Sequence, residues 1–435
     1  MKQKRKQSNQ SHEYSWHRET RVLHDGWHPE TPGEPVVPSW EPSTIFRHPS
    51  DGLSADSWSY TRLDNPNRAQ LEKTLAGIEG GADALTFASG MAAVQAVFHI
   101  LSPGDHVLLP DDLYHGVRNL IRDQYTRWGL SFDFVDMTSD KQVREAAREN
   151  TRLLWLESPS NPMLKISNIA GLTTLAREKN WITVLDNTWS TPVIQRPLDL
   201  GVDIVLYSTT KFIGGHSDAL GGALIVGHPE DHNDSQTGLQ AGSQPASRSS
   251  VQQPASGRNA KDGSRPDVDR TEISAGLRKL QAQAGSVPSP FDCWLMLRSL
   301  KTLYARIKTQ CANAQLIAGR LRGHHAVEKV YYPGLQDHEG QEIASRQMDM
   351  PGSMISFQVR GDMAAALRVV NAARLIIPAT SLGGVESTWE HRKTSEYAES
   401  PTPENLIRLS IGIEHPEDIW QDIVQSLESL FHASE

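Results

Sequence analysis

From Leu71 onward the chain alternates between helically spaced apolar positions and short continuous apolar runs. LEKTLAGIEG (71–80) has the spacing of an amphipathic helix and stops at Gly80 and Gly81. ALTFASG (84–90) is a strand ending in small residues, and MAAVQAVFHIL (91–101) is an apolar helix halted before Ser102-Pro103-Gly104. Further strands are predicted at HVLLP (106–110), LSFDFVDM (130–137), RLLWLESP (152–159), WITVLDN (181–187), VDIVLYS (202–208) and GGALIVG (221–227). Helices are predicted around 116–128, 141–150 and 168–180. The strand runs are almost uninterrupted in their apolarity, as strands covered on both faces are. Such alternation predicts an α/β fold with a mostly parallel sheet.

Two stretches depart from this pattern. Residues 1–59 are polar and rich in Pro, Trp and His, and read as an extended arm. Residues 229–270 contain almost no large apolar side chain and cannot offset their ordering entropy, which predicts a disordered surface insertion. Helical spacing resumes near 272, and Pro290 to Arg322 reads as one long helix or a pair. MISFQVR (354–360) and LIRLSIG (406–412) are strands in a final third that mixes strands with helices. The expected domains are an N-terminal arm (1–59), a large domain (60–300) and a smaller C-terminal α+β domain (301–435).

Composition narrows the function. A formal net charge of −9 argues against general nucleic-acid binding. Lys2, Lys4, Arg5 and Lys6 read as a solvated terminus. No apolar stretch approaches the roughly 18–20 residues of a membrane span, and no h-region follows the basic start. Two cysteines, Cys293 and Cys311, in so long a chain suggest reduced thiols and a cytoplasmic protein. No His/Cys cluster has zinc spacing, so no metal is expected.

Three positions carry candidate chemistry. The turn Ser89-Gly90-Met91 opens a helix directly after a strand, which points backbone N–H groups and the helix dipole at one spot suited to an anion. Asp186 ends an apolar strand in VLDNTWSTP, at the edge where α/β sheets bind ligands, although Asp is also a common cap. Lys211 follows the next strand in VLYSTTKFIGGHS. A desolvated lysine there becomes a nucleophile for carbonyl groups, whereas most lysines snorkel to water. Ser208-Thr-Thr-Lys211 also fits the S-x-x-K motif of penicillin-recognising enzymes, but the S-D-N and K-T-G elements are absent. A phosphate cradle, an acid and a nucleophilic lysine together suit pyridoxal phosphate.

The motifs YTRLDNPN (60–67), ASGMAA (88–93), DDLYHG (111–116), ESPSNP (157–162), DNTWSTP (186–192), STTKFIGGHSD (208–218), SLGGVES (381–387) and LIRLSIGIE (406–414) occur in this order. In them the chain resembles the cysteine and methionine metabolism family of pyridoxal-phosphate enzymes, from about residue 18 to about 430. The resemblance implies the type I transferase fold, with a mostly parallel seven-stranded sheet, and trans-sulfuration chemistry. It implies Lys211 as the Schiff-base lysine and proton carrier, Asp186 as partner of the pyridine nitrogen, and Gly90, Met91, Ser208 and Thr210 around the phosphate. Tyr114 would stack on the ring and act in proton transfer, with Asn161 near the ring's phenolic oxygen. Tyr60 and Arg62 would reach the cofactor of a neighbouring subunit in a homodimer or homotetramer with shared sites. Arg408 would bind the substrate α-carboxylate, with Ser381 and Leu382 lining that pocket.

The specificity markers are mixed. Cystathionine γ-synthases and γ-lyases typically carry Glu where Thr380 stands, and methionine γ-lyases a cysteine where Gly116 stands. Trp189 is commoner among β-lyases, whereas SLGGVES resembles the γ-enzymes, and TWEHRKTSE (388–396) replaces the usual proline- and histidine-containing segment. The expected activity is γ-replacement or γ-elimination on an activated homoserine or cystathionine. Cystathionine β-lyase and O-acyl-homoserine sulfhydrylase are the alternatives.

Overall fold

The protein is described here from a computed structural model, which covers residues 16–50, 57–229, 268–396 and 400–431. All but the edges of the expected insertion at 229–270 lie outside the described residues, and the helix after it begins at Arg270.

Seven short strands build the larger sheet: β1 (Asp83–Phe87), β2 (His106–Pro110), β3 (Ser131–Val135), β4 (Thr151–Glu157), β5 (Ile182–Asp186), β6 (Ile204–Tyr207) and β7 (Gly222–Val226). Their order is β1-β7-β6-β5-β4-β2-β3. The strands from β6 to β3 run parallel, while β7 is antiparallel to both β6 and β1. Alternate residues feed two cores. Leu154, Leu156, Leu185 and Val205 point into one, and Leu153, Trp155, Val184 and Ile204 into the other. This two-sided burial explains the unbroken apolar runs.

The helices begin and end where local chemistry dictates. Asn65 accepts a hydrogen bond from Asn67 N and Pro66 occupies the first turn of Pro66–Glu79, which closes at Gly80 with φ +79°. The helix expected over 116–128 is instead an α-helix, His115–Leu120, followed by one π turn, Ile121–Tyr125. The Thr126 backbone N–H (3.1 Å) and hydroxyl (3.2 Å) both donate to the Ile121 carbonyl, which holds the wider turn. The N-terminal stretch expected to be extended contains a helix, Arg18–His24. Its Val22 is buried, and Thr74 Oγ1 donates to Asp25 O at 2.8 Å, which ties this helix to Pro66–Glu79.

A second sheet comprises β8 (Val327–Tyr331), β9 (Met354–Val359), β10 (Ile377–Pro378), β11 (Thr388–His391) and β12 (Leu406–Ser410), ordered β10-β11-β12-β9-β8. The helix Leu303–Arg322 joins the two parts. Leu303, Ile307 and Cys311 sit in the core shared with the large sheet, and Ala314, Ile317 and Leu321 in the core of the small one. Among the described residues no helix is long and apolar enough to cross a membrane.

Candidate active site

Parallel pairing brings the C-terminal ends of the central strands together. Glu157 at the end of β4 lies in register with Asp186 at the end of β5. Beyond β6, Ser208 to Lys211 turn back on themselves, with Lys211 N donating to Ser208 O at 3.1 Å. Lys211 Nζ donates to Ser381 Oγ at 2.5 Å, across from the C-terminal part of the chain. Burial pushes the Lys211 ammonium down to about 8, and the Arg408 charge acts in the same direction. The amine is therefore far more available as a nucleophile near neutral pH than an exposed lysine.

Asp186 is held from one side. Its Oδ1 accepts from Thr188 N at 3.0 Å and Thr188 Oγ1 at 2.5 Å, and Thr188 Oγ1 in turn accepts from Ser208 N at 2.9 Å. Burial nevertheless raises its pKa above the ordinary carboxylate value, to about 6. Glu157 is raised as well, by burial first and by the Asp186 charge second. Its Oε2 accepts from Tyr114 N at 3.0 Å. A half-buried acid with no ion-pair partner among the described residues suits a basic ring nitrogen.

The cradle is made of small residues. Ser89 Oγ caps the helix Gly90–Phe98 by accepting from Ala92 N at 3.1 Å. A Cβ at Gly90 would lie 2.8 Å from Ser208 Cβ and Oγ, and one at Gly222 would lie 2.3 Å from Ser89 O. Only glycine lets the helix N-terminus approach Ser208 this closely. Met91 follows in the first turn. Thr210 Oγ1 accepts from Gly221 N at 3.0 Å, which fastens the lysine loop to the start of β7.

Arg408 projects from β12 toward Ser381 and Asn161. Its Nη1 donates to Asn161 Oδ1 at 3.1 Å, and its Nη2 to Ser381 O at 3.3 Å and Glu390 Oε2 at 2.8 Å. Burial, reinforced by the Arg392 charge, lowers its guanidinium to about 9. Leu382 is buried beside Ser381, whose φ is +91°. The Tyr114 phenol is raised by burial, while the nearby Arg392 and Arg408 charges oppose that rise. Lys211, Asp186, Gly90, Ser208, Tyr114, Asn161, Ser381 and Arg408 are thus brought into one region through these contacts. Tyr60 and Arg62 are placed differently. Tyr60 pairs with Ile45, and Arg62 lies 5.5 Å from the Tyr60 ring and donates to Ala282 O. Glu157, Thr188, Glu390 and Arg392 carry no role in the sequence reading. Only Glu157, a second acid at a strand end, had a usable signal there.

A helix N-terminus that opens on glycine, a lysine with weakened proton affinity and a half-buried acid fit a ligand bearing a phosphate, an aldehyde and a basic ring nitrogen. The profile of the family described as Cys/Met metabolism PLP-dependent enzyme matches residues 19–428. The chain is 38% identical over 421 residues to the cystathionine beta-lyase of Coxiella burnetii, covering 94% of this chain and 98% of that protein. It is also 38% identical over 415 residues to the cystathionine gamma-synthase of Mycobacterium bovis, covering 94% and 96%. The crystal structure of metB from Corynebacterium glutamicum superposes with a TM-score of 0.84 at 36% identity, covering 96% of this chain and 99% of that one.

The chain belongs to the Cys/Met metabolism family of pyridoxal-phosphate-dependent enzymes. It is a trans-sulfuration lyase or synthase whose substrates are small amino acids and whose cofactor is pyridoxal 5'-phosphate. A β-lyase and a γ-synthase are equally similar to it, so overall likeness does not separate the two reactions.

Proposed function

We propose that this enzyme catalyses γ-replacement or γ-elimination on an activated homoserine or on cystathionine. The observation that supports this reading is how Ser381-Leu382-Gly383-Gly384, the γ-type loop, seats on Lys211. Gly383 has φ +81°, and a Cβ there would meet Phe212 N at 2.7 Å and the Lys211 carbonyl carbon at 3.0 Å. The loop that resembles the γ-enzymes thus packs on the lysine that moves the protons.

In this reading the N-terminus of the helix Gly90–Phe98, with Gly90, Met91, Ser208 and Thr210, holds the cofactor phosphate. Asp186 pairs with its ring nitrogen, and Tyr114 and Asn161 contact its ring. When bound, pyridoxal phosphate supplies an electron sink for negative charge on the substrate. Arg408 receives the α-carboxylate, with Ser381 and Leu382 beside it. Lys211 takes the proton from substrate Cα; once it has handed that proton on and is a neutral amine again, it takes a second proton from Cβ when the leaving group is on Cγ. Tyr60 and Arg62 serve the site of a second copy, so the functional unit is a homodimer or homotetramer, and the enzyme is cytoplasmic. The second reading, β-elimination, draws on Trp189 and on Thr380 in place of a glutamate.

Product analysis tests the assignment. Cystathionine, O-succinylhomoserine with cysteine, and methionine are offered in parallel. Either 2-oxobutyrate with cysteine, or newly formed cystathionine, is expected. Pyruvate with homocysteine as the main products overturns the γ assignment.

A further inference from the structure

TWEHRKTSE (388–396), where the chain leaves the family pattern, folds as β11 followed by the 3-10 turn Lys393–Ser395. It places a run of buried charges beside Arg408. Glu390 faces Arg408 in the strand register, and its Oε2 accepts from both Arg408 Nη2 at 2.8 Å and Arg392 Nη1 at 2.9 Å. The other oxygen, Oε1, accepts from Ser395 Oγ at 2.6 Å and Thr380 Oγ1 at 3.2 Å. Thr380, standing where γ-enzymes typically carry a glutamate, therefore orients the carboxylate of Glu390. Arg392 also donates to Glu396, and its side chain is only 2% exposed. Its Nε is buried with no hydrogen-bond partner among the described residues, where the two glutamates anchor its guanidinium.

One carboxylate oxygen thus serves two guanidinium groups. A buried carboxylate paired one-to-one with Arg408 would compete directly with an incoming anion, because charges interact strongly away from water. A second cation on the same oxygen divides that attraction. We propose that Arg392 is a positioning residue for substrate binding: by sharing Glu390 it keeps the Arg408 guanidinium available to the substrate α-carboxylate. This rests on reading Arg408 as the carboxylate receptor.

The test uses holoenzyme with two non-reacting probes, L-norleucine and L-norleucinamide, which differ in the carboxylate. Binding is followed by calorimetry and by the absorption of the bound cofactor. The unsubstituted enzyme should prefer norleucine. Arg392→Gln should weaken norleucine binding on the order of tenfold, the weight of one charge-assisted hydrogen bond, and leave norleucinamide unchanged. Arg392→Lys keeps the charge and should retain most of the affinity. The double variant Glu390→Gln/Arg392→Gln should recover norleucine binding, because the competing carboxylate is gone. A purely structural role would make the double variant worse than the single one. Norleucine binding unchanged in folded Arg392→Gln, or a double variant no better than the single, overturns the inference. An unsubstituted enzyme that does not distinguish the two probes overturns the reading of Arg408, and the inference with it.

Discussion

Lys211 and Asp186 are perturbed in opposite senses, and each perturbation has a consequence that can be measured. Burial moves the lysine down to about 8, so its neutral form gains ground from slightly alkaline pH rather than from the far higher pH of an exposed amine. The rate at which cofactor-free protein takes up pyridoxal phosphate should therefore rise with pH around a midpoint near 8, as read by stopped-flow absorbance. A midpoint near the ordinary lysine value contradicts the burial argument. Lys211→Ala should lose the cofactor's visible band and all activity. Asp186 is raised, so its folded form holds a proton more tightly than the unfolded chain does. Stability is then greatest below the ordinary carboxylate value and is lost as pH climbs through the folded value. At pH 7, Asp186→Asn should raise the melting temperature of the cofactor-free protein while weakening pyridoxal phosphate binding, a stability–function exchange common at active sites. A lower melting temperature contradicts this account.

Among the elements, the strand ends and glycine contacts carry the site. A Cβ at Gly222 would press on Ser89 O at 2.3 Å and on Gly90 Cα at 2.9 Å, both backbone atoms that cannot rotate away. Gly222→Ala should cost about 1–3 kcal/mol in denaturant unfolding, the usual range for overpacking, and should weaken cofactor binding by shifting the helix N-terminus. Gly383→Ala should spare the cofactor band but lower kcat, because it moves the loop seated on Lys211. Much of this level was legible in the sequence. The run HVLLP is β2 residue for residue, and Asp186 and Lys211 stood out because acids and lysines rarely end buried strands. Other parts were not legible. The π turn at Ile121–Tyr125 depends on a hydroxyl bond that helical spacing does not encode. The Arg408–Asn161 and Arg408–Glu390 pairings join segments 247 and 18 residues apart, one across the two sheets and one across a strand register. Resemblance named Arg408 and Asn161, yet no local pattern in TWEHRKTSE shows that Glu390 is shared.

At the scale of the whole molecule, the long helix Leu303–Arg322 and the Lys211–Ser381 contact make the two sheets one catalytic body. In the proposed function Arg62 serves the site of a second copy. Two variants, Lys211→Ala and Arg62→Ala, should each be inactive alone. Dissociated and reassociated together they should recover activity, because one site in each hybrid then holds both native residues. No recovery, despite hybrid formation shown by mass, contradicts a shared site. In the proposed mechanism one lysine amine moves protons at Cα and, in turn, at Cβ. Proton NMR of L-2-aminobutyrate, which has no leaving group, incubated with holoenzyme in deuterium oxide reads both exchanges. Loss of both the α and the β proton signals is expected, and exchange confined to the α position would contradict the assignment.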